Sequence, residues 1–444
     1  MTICMLNEVA VPKSYNNTFD VTSMACSKIF LGNLPELING IIQYFHHDYK
    51  TLHSCILINR LWCHLAIPLL WENPFSIECP KNYHFIEIYL HNLNDGDKTK
   101  LNKYGINNDL IPSNTLFNYS SFIQHLNTRK IINSIKNWEN AVSRTSTTKV
   151  QNLKFINRSL YQIFIENVVN LHSLEVVLST NQEREYFYDT FNLILQNPNF
   201  FRNIKNLKLE DSFITAETLT KFSTLLNSHC NSISSLYLNS YVTIIAMTIK
   251  RSRNSIPLYR TLLLLKNSNC SNTLNTIIFY YTDFKNIIIG LNEVFNQLNV
   301  LESIHIVFCQ SLDTKFIPQI INIIKPFKLK SLILNEILQI ESLLLLIQKF
   351  GNNMENFGFE EINESPQLLQ LLESVIIYCC KIKILFLLDG LNNQNINLVF
   401  NLIENVKQNL NYLFIDTYHD NHLSSIILQN LGQILRTFEI DSCN

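Results

Sequence analysis

Leu274-Asn275-Thr276-Ile277-Ile278-Phe279 and Leu301-Glu302-Ser303-Ile304-His305-Ile306 share one spelling, apolar-x-x-apolar-x-apolar. The same triplet recurs at Leu329/Leu332/Leu334, Met354/Phe357/Phe359, Ile382/Leu385/Leu387, Leu410/Leu413/Ile415 and Leu435/Phe438/Ile440. Successive first positions lie 27, 28, 25, 28, 28 and 25 residues apart. Less regular copies precede them at Val150/Leu153/Phe155, Leu171/Leu174/Val176, Ile204/Leu207/Leu209 and Ile233/Leu236/Leu238. A fixed period of this length settles the fold before any local propensity does, because each unit must bury its apolar face against the next.

The period is that of leucine-rich repeats, so the expected architecture is α/β: a solenoid with parallel strands on the concave face and helices on the convex face. Amphipathic stretches between the triplets supply the helices, as at Leu219, Phe222, Leu225 and Leu226, and again at Val294, Phe295 and Leu298. Cys230, Gly351, Cys379 and Gly432 each stand three residues before a triplet, where a small residue fits a tight turn. Strand side chains alternate between faces, so the residue between the second and third triplet positions points outward. The next outward position lies two residues on. Large apolar groups fall in these rows or beside them: Tyr237, Ile278, Tyr280, Ile333, Phe386, Leu388, Tyr412 and Phe414. Contiguous exposed apolar groups mark interaction sites and aromatics are favoured anchors, which makes this set the candidate substrate-binding surface. Mutual shielding along the face, or a register slipped by one residue, would instead place them in the core.

At 444 residues the chain exceeds one compact core. Its net charge of −1 excludes a generally basic nucleic-acid binder and gives no steering toward membranes. Polar residues interrupt Met1 to Thr22, so no secretory leader is expected, and no stretch approaches a membrane span. Eleven cysteines without a Cys-x-x-Cys pair read as reduced thiols, hence a cytoplasmic or nuclear protein. Nine glycines, with no Gly-x-Gly-x-x-Gly and no Gly-Lys-Ser/Thr, argue against nucleotide chemistry, so no cofactor is expected. No catalytic motif appears either, so the expectation is a non-enzyme. His419-Asp420-Asn421-His422 has metal-like spacing but no further ligands nearby, so no metal site is assigned. Lys250, Arg251, Arg253 and Arg260 fall where the repeat spacing stretches to 41 residues and read as a solvated insertion.

Ser27 to Phe75 has a different texture. Pro35 suits a first helical turn, and Leu37, Ile38, Ile41, Ile42 and Phe45 follow at helical spacing. Asp48 is expected to cap a second helix carrying Leu52, Cys55, Ile56 and Asn59, and Trp62, Ala66 and Leu69 lie on a third that Pro68 disturbs. Three such short helices cannot bury a full core. Leu34-Pro35-Glu36-Leu37, Leu52, Cys55, Ile58-Asn59, Trp62 and Leu69-Leu70-Trp71 resemble an F-box, and the combination with repeats is similar to the fungal F-box/leucine-rich-repeat proteins. Gly40 inside the first helix departs from good helix formers at about 1 kcal/mol relative to Ala.

The resemblance implies an Skp-type adaptor as partner and, through it, a cullin–RING ubiquitin ligase. On that basis Leu34, Pro35, Leu37, Ile38 and Ile42 lie in or beside the adaptor interface, supported by Trp62 and Trp71; Leu37, Ile42, Leu52 and Trp62 fit a local core equally well. The expected organisation is an N-terminal tail over 1–27, an F-box over 28–75, a linker and helical cap over 76–146, and repeats over 147–444. Within the linker, 92–114 reads as turns or loop and Leu116 to Trp138 as helix. The function so implied is that of a ligase substrate receptor binding a protein target. A non-degradative F-box scaffold, and a repeat-protein inhibitor or sensor with an incidental F-box likeness, are the alternatives.

Overall fold

A computed structural model describes residues 35–77, 80, 82–103, 106–142, 149–168, 170–211, 221, 224–225, 231–239, 269–282, 284, 291–309, 312, 317–324, 327–334, 340–359, 366–387 and 395–415. Among the described residues the fold is α/β, with a ten-stranded, all-parallel sheet whose strands follow chain order. They are β1 His125–Asn127, β2 Ser173–Leu178, β3 Asn206–Asp211, β4 Ser235–Asn239, β5 Thr276–Tyr280, β6 Ser303–Cys309, β7 Lys328–Leu334, β8 Asn356–Phe359, β9 Ile384–Leu387 and β10 Tyr412–Ile415. The chain divides into two compact units, Met1–His172 with Asn181–Phe200, and Ser173–Thr180 with Phe201–Asn444.

The described part of the first unit begins with three short helices, α1 Pro35–Tyr44, α2 Tyr49–Cys55 and α3 Arg60–Trp71. Ile38, Ile42, Leu52, Cys55, Trp62, Ala66 and Leu69 form their shared core. Asp48 caps α2 as its sequence position suggests, its carboxylate accepting from the Thr51 amide at 3.0 Å. Asn59 does not ride on α2, which ends at Cys55; it caps α3 by accepting from the Trp62 amide at 3.0 Å. An Asn side chain competes poorly inside a helix and well at its first turn, which explains the shift. Helix α3 then runs through Pro68 to Trp71.

Further along, the unit contains α4 Phe85–Leu90, α5 Asp95–Lys103, α6 Thr128–Val142, α7 Lys149–Asn167 and α8 Asn181–Gln196. Three sequence expectations fail here. The polar stretch at 92–114 contains helix α5 and a short 3-10 turn at Asn108–Leu110. Asp95 and Asp97 in its first turn and Lys100 and Lys103 in its last complement the helix dipole, which composition alone hid. The expected helix from Leu116 breaks into a 3-10 turn at Tyr119–Phe122 and strand β1 before α6 begins. The triplet Val150/Leu153/Phe155 lies in α7 rather than in a strand. Leu153 belongs equally to a helical stripe with Ile156, Leu160 and Phe164, all buried, while Phe155 falls off that stripe and is half-buried.

In the second unit the triplets keep their promise. Nine of them, from Leu171 to Ile415, end in strands β2 to β10, and the last, Leu435/Phe438/Ile440, lies outside the described residues. Pairing is parallel and in register, so that Leu207, Leu236, Ile277 and Ile304 stand side by side, as do Leu209, Leu238, Phe279 and Ile306. Each of these eight is buried. Helices α9 Leu291–Gln297, α10 Ile317–Ile321, α11 Ile340–Phe350, α12 Pro366–Tyr378 and α13 Ile396–Val406 alternate with the later strands. Helix α11 buries Ile340, Leu343, Leu346, Ile347 and Phe350 along one stripe, and α13 does so with Ile396, Val399, Leu402, Ile403 and Val406. The small-residue turn positions do pack tightly: a Cβ on Gly351 would lie 2.8 Å from Tyr378 Cβ and 3.0 Å from Cys379 Sγ. Cys230 and Gly432 lie outside the described residues.

Gly358 is the strictest position in the sheet. An added Cβ would come within 2.2 Å of the Phe386 carbonyl oxygen and 2.6 Å of its Cβ. Because backbone stands in the way, no rotamer change relieves the clash. Gly358→Ala is therefore expected to destabilise the chain by about 1–3 kcal/mol in urea unfolding, as overpacking does. An unchanged midpoint would show that β9 yields there without cost.

Candidate functional site

Two surfaces collect the residues singled out in the sequence, one in each unit. The first is helix α1. Its face toward the core is filled by Ile38 and Ile42, neither of which has exposed surface. Those two hold the helix in place rather than offering contact area. Leu37 and Tyr44 point away, 48% and 87% exposed, and Pro35 is exposed as well. Half-buried Ile41 and Phe45 join Glu36, Leu37, Gly40 and Tyr44 around an open depression of about 350 Å³. Gly40 helps to keep it open, since a Cβ added there would touch nothing within 4 Å. Leu57 and Ile58, in the turn between α2 and α3, are exposed too. Trp62 belongs to the three-helix core, and half-buried Trp71 packs its ring 4.2 Å from Tyr119 and 5.5 Å from Tyr89. Leu34 lies outside the described residues.

The second surface is the outward face of the sheet. Tyr237, Ile278, Tyr280, Ile333 and Phe386 are half-buried there, while Tyr412 and Phe414 are 69% and 49% exposed. Leu388 lies outside the described residues. Alternation fails at outward positions Val177, Asn239 and Gly358, which are buried. Gly358 is covered by Phe386, for the steric reason given above.

Rings form a continuous row on this face. Tyr237 lies 5.9 Å from Tyr280, Tyr280 lies 5.7 Å from Phe308, Phe308 lies 5.6 Å from Phe386, and Phe386 stacks on Phe414 at 5.1 Å and 19°. Such offset and edge contacts are the geometries that ring quadrupoles favour. The link across β7 and β8 depends on Phe308, which the sequence reading missed. It sits in a bulge where Val307 pairs with Ile333 and Cys309 with Leu334, and its φ is +51°. Tyr281 has φ +48° and stacks on Phe308 at 5.2 Å. A non-glycine residue in the left-handed region costs about 1–3 kcal/mol and persists where surrounding structure enforces it, commonly at binding sites. No residue type announces such a bulge, so periodicity could not have found it.

Beside the rings runs a polar line. Asn356 Nδ2 donates to Ser331 Oγ at 2.6 Å, and Ser331 Oγ lies 2.7 Å from His305 Nδ1. Ser331 is buried, and its hydroxyl joins the Asn356 amide and the His305 ring, leaving Nε2 as the other hydrogen-bonding nitrogen of that ring. Glu355 is held between Lys330 at 3.3 Å and Lys383 at 2.9 Å, leaving one net positive charge in this trio. Its carboxyl is held below the usual range, chiefly by the Lys383 hydrogen bond. At the other end of the row, Lys208 lies 4.8 Å over the Tyr237 ring and 3.1 Å from Glu210.

Nothing among the described residues gathers three or more metal-ligating side chains. His419–His422 and the Lys250–Arg260 cluster lie outside them. Burial pushes the Cys309 and Cys379 thiols up to about 12, which keeps them protonated and inert at neutral pH. No described helix is long and apolar enough to cross a membrane. No known protein-family model matches the chain, and no curated protein matches it either.

Burial, with Lys330 adding to it and Glu355 opposing, lowers the His305 pKa from its ordinary 6.5. The unfolded chain therefore protonates this group first, so its contribution to stability is full above about pH 6.5 and is lost as pH falls toward the folded pKa. Glu355 adds a separate loss at lower pH, beginning near its ordinary 4.5. The urea midpoint should fall between pH 7 and pH 5, and fall less in His305→Gln. An equal fall in both proteins would remove His305 from that window.

Proposed function

We propose that the chain is a substrate receptor of an Skp–cullin–F-box type ubiquitin ligase, built as an F-box followed by a leucine-rich-repeat solenoid. The observation that carries this reading is the spare apolar face of α1. A three-helix module whose core takes Ile38 and Ile42 still exposes Leu37 and Tyr44 around an open depression. Exposed apolar groups grouped this way are characteristic of a docking surface. The F-box resemblance of Leu34–Trp71 names the partner, an Skp-type adaptor.

The in-register parallel strands, one per triplet, support the repeat reading of the second unit. The aromatic row on their outward face is suited to a protein target. In this mechanism the chain performs no chemistry. It holds adaptor and target at once, raising the target's effective concentration at the ligase.

Co-expression with a purified Skp-type adaptor tests the proposal. The wild-type chain should co-purify with it, and Leu37→Glu should weaken the complex by about tenfold or more, equivalent to at least ~1.4 kcal/mol. Because Leu37 is half exposed, the variant should keep its unfolding midpoint. An adaptor that ignores the chain, or binds Leu37→Glu as well as wild type, would reject the proposal. Ubiquitination of a captured partner in the reconstituted reaction separates a receptor from a non-degradative scaffold.

A further inference from the structure

Resting on that reading, we propose that the outward face of β6 to β10 takes an acidic peptide segment with large apolar side chains. His305, Lys330 and Lys383 meet its carboxylates, and Phe308, Phe386 and Phe414 meet its apolar groups. Two independent features of the face lead here.

The first is a held imidazole. The line from Asn356 through Ser331 to His305 Nδ1 fixes the ring and leaves Nε2 as its other hydrogen-bonding nitrogen. Lys330, which neighbours Ser331, makes an anionic group the better match beside it. The second is the charge balance. Glu355 is already engaged by two lysines, so the trio keeps one net positive charge that a carboxylate from outside it can meet. A basic segment would instead compete with Lys330 and Lys383 for one Glu355, at a cost in like-charge repulsion.

The rings supply the rest. Strands lie about 4.8 Å apart, so the four steps from β6 to β10 span roughly 19 Å, the length of an extended segment of about six residues. Phe414 at the end of the row is 49% exposed, leaving ring surface for a partner's side chains. Salt weakens the charged part of such a contact and leaves the apolar part, so both are measurable separately.

The experiment uses the full chain and three fluorescein-labelled octapeptides, of alternating Asp and Phe, alternating Lys and Phe, and alternating Asp and Ser. Fluorescence anisotropy should show the Asp/Phe peptide binding about tenfold or more tighter than either other peptide. Phe414→Ser should weaken that binding about tenfold, and the Lys330→Glu/Lys383→Glu pair should reverse the preference in favour of the Lys/Phe peptide. Unfolding midpoints confirm that each variant is folded. Equal or tighter binding of the Lys/Phe peptide, no binding of any peptide up to about 1 mM, or binding indifferent to Phe414→Ser would each overturn the proposal. The adaptor is absent from this assay, so its outcome is independent of whether α1 docks an adaptor.

Discussion

Everything in the second unit depends on parallel strands pairing in register with one apolar triplet per strand. Pairing places Leu236 beside Ile277 and Ile277 beside Ile304, so each strand's buried residues meet their counterparts on both sides. A slip of one residue would turn those side chains outward and the outward ones inward. Burial of the triplets therefore fixes which residues are left for function. The aromatic row is a consequence of the core's register as much as of its own chemistry.

The same constraint explains where the pattern bends. Register shifts occur between β6 and β7, and there Phe308 takes a left-handed backbone and reaches toward Phe386. Between the two lies β8, where Gly358 leaves the space that Phe386 occupies. A bulge in β6, a glycine in β8 and a ring in β9 form one unit: a side chain at 358 would displace Phe386, and a regular β6 would leave no ring bridging the gap. In the first unit the analogous constraint is size. Three helices of at most 12 residues satisfy their core with a handful of side chains, and α1 keeps an apolar face to spare.

Much of this was legible in the sequence, for a physical reason. Side chains that repeat at a fixed period report burial, and burial is what the triplets encode; nine of them mark strands. Capping by Asp48 was legible because its chemistry is local. Val150–Phe155 misled because Leu153 also belongs to a helical stripe with Ile156, Leu160 and Phe164, and the long helix α7 buries that stripe. Helix α5 was hidden by a polar composition whose charges suit its own ends. The outward set was foreseen in its aromatic members, yet Phe308, Tyr281 and the His305–Ser331–Asn356 line were not. Backbone inversion and a hydrogen bond between neighbouring strands leave no trace in spacing.

In the proposed function the two surfaces act separately, α1 for an adaptor and the sheet face for a target. Hydrogen–deuterium exchange of the full chain with and without a purified Skp-type adaptor tests it most directly. Binding should slow exchange across residues 35–58 while leaving 384–387 and 412–415 unchanged. Slowed exchange confined to those strands, or none in α1, would contradict it.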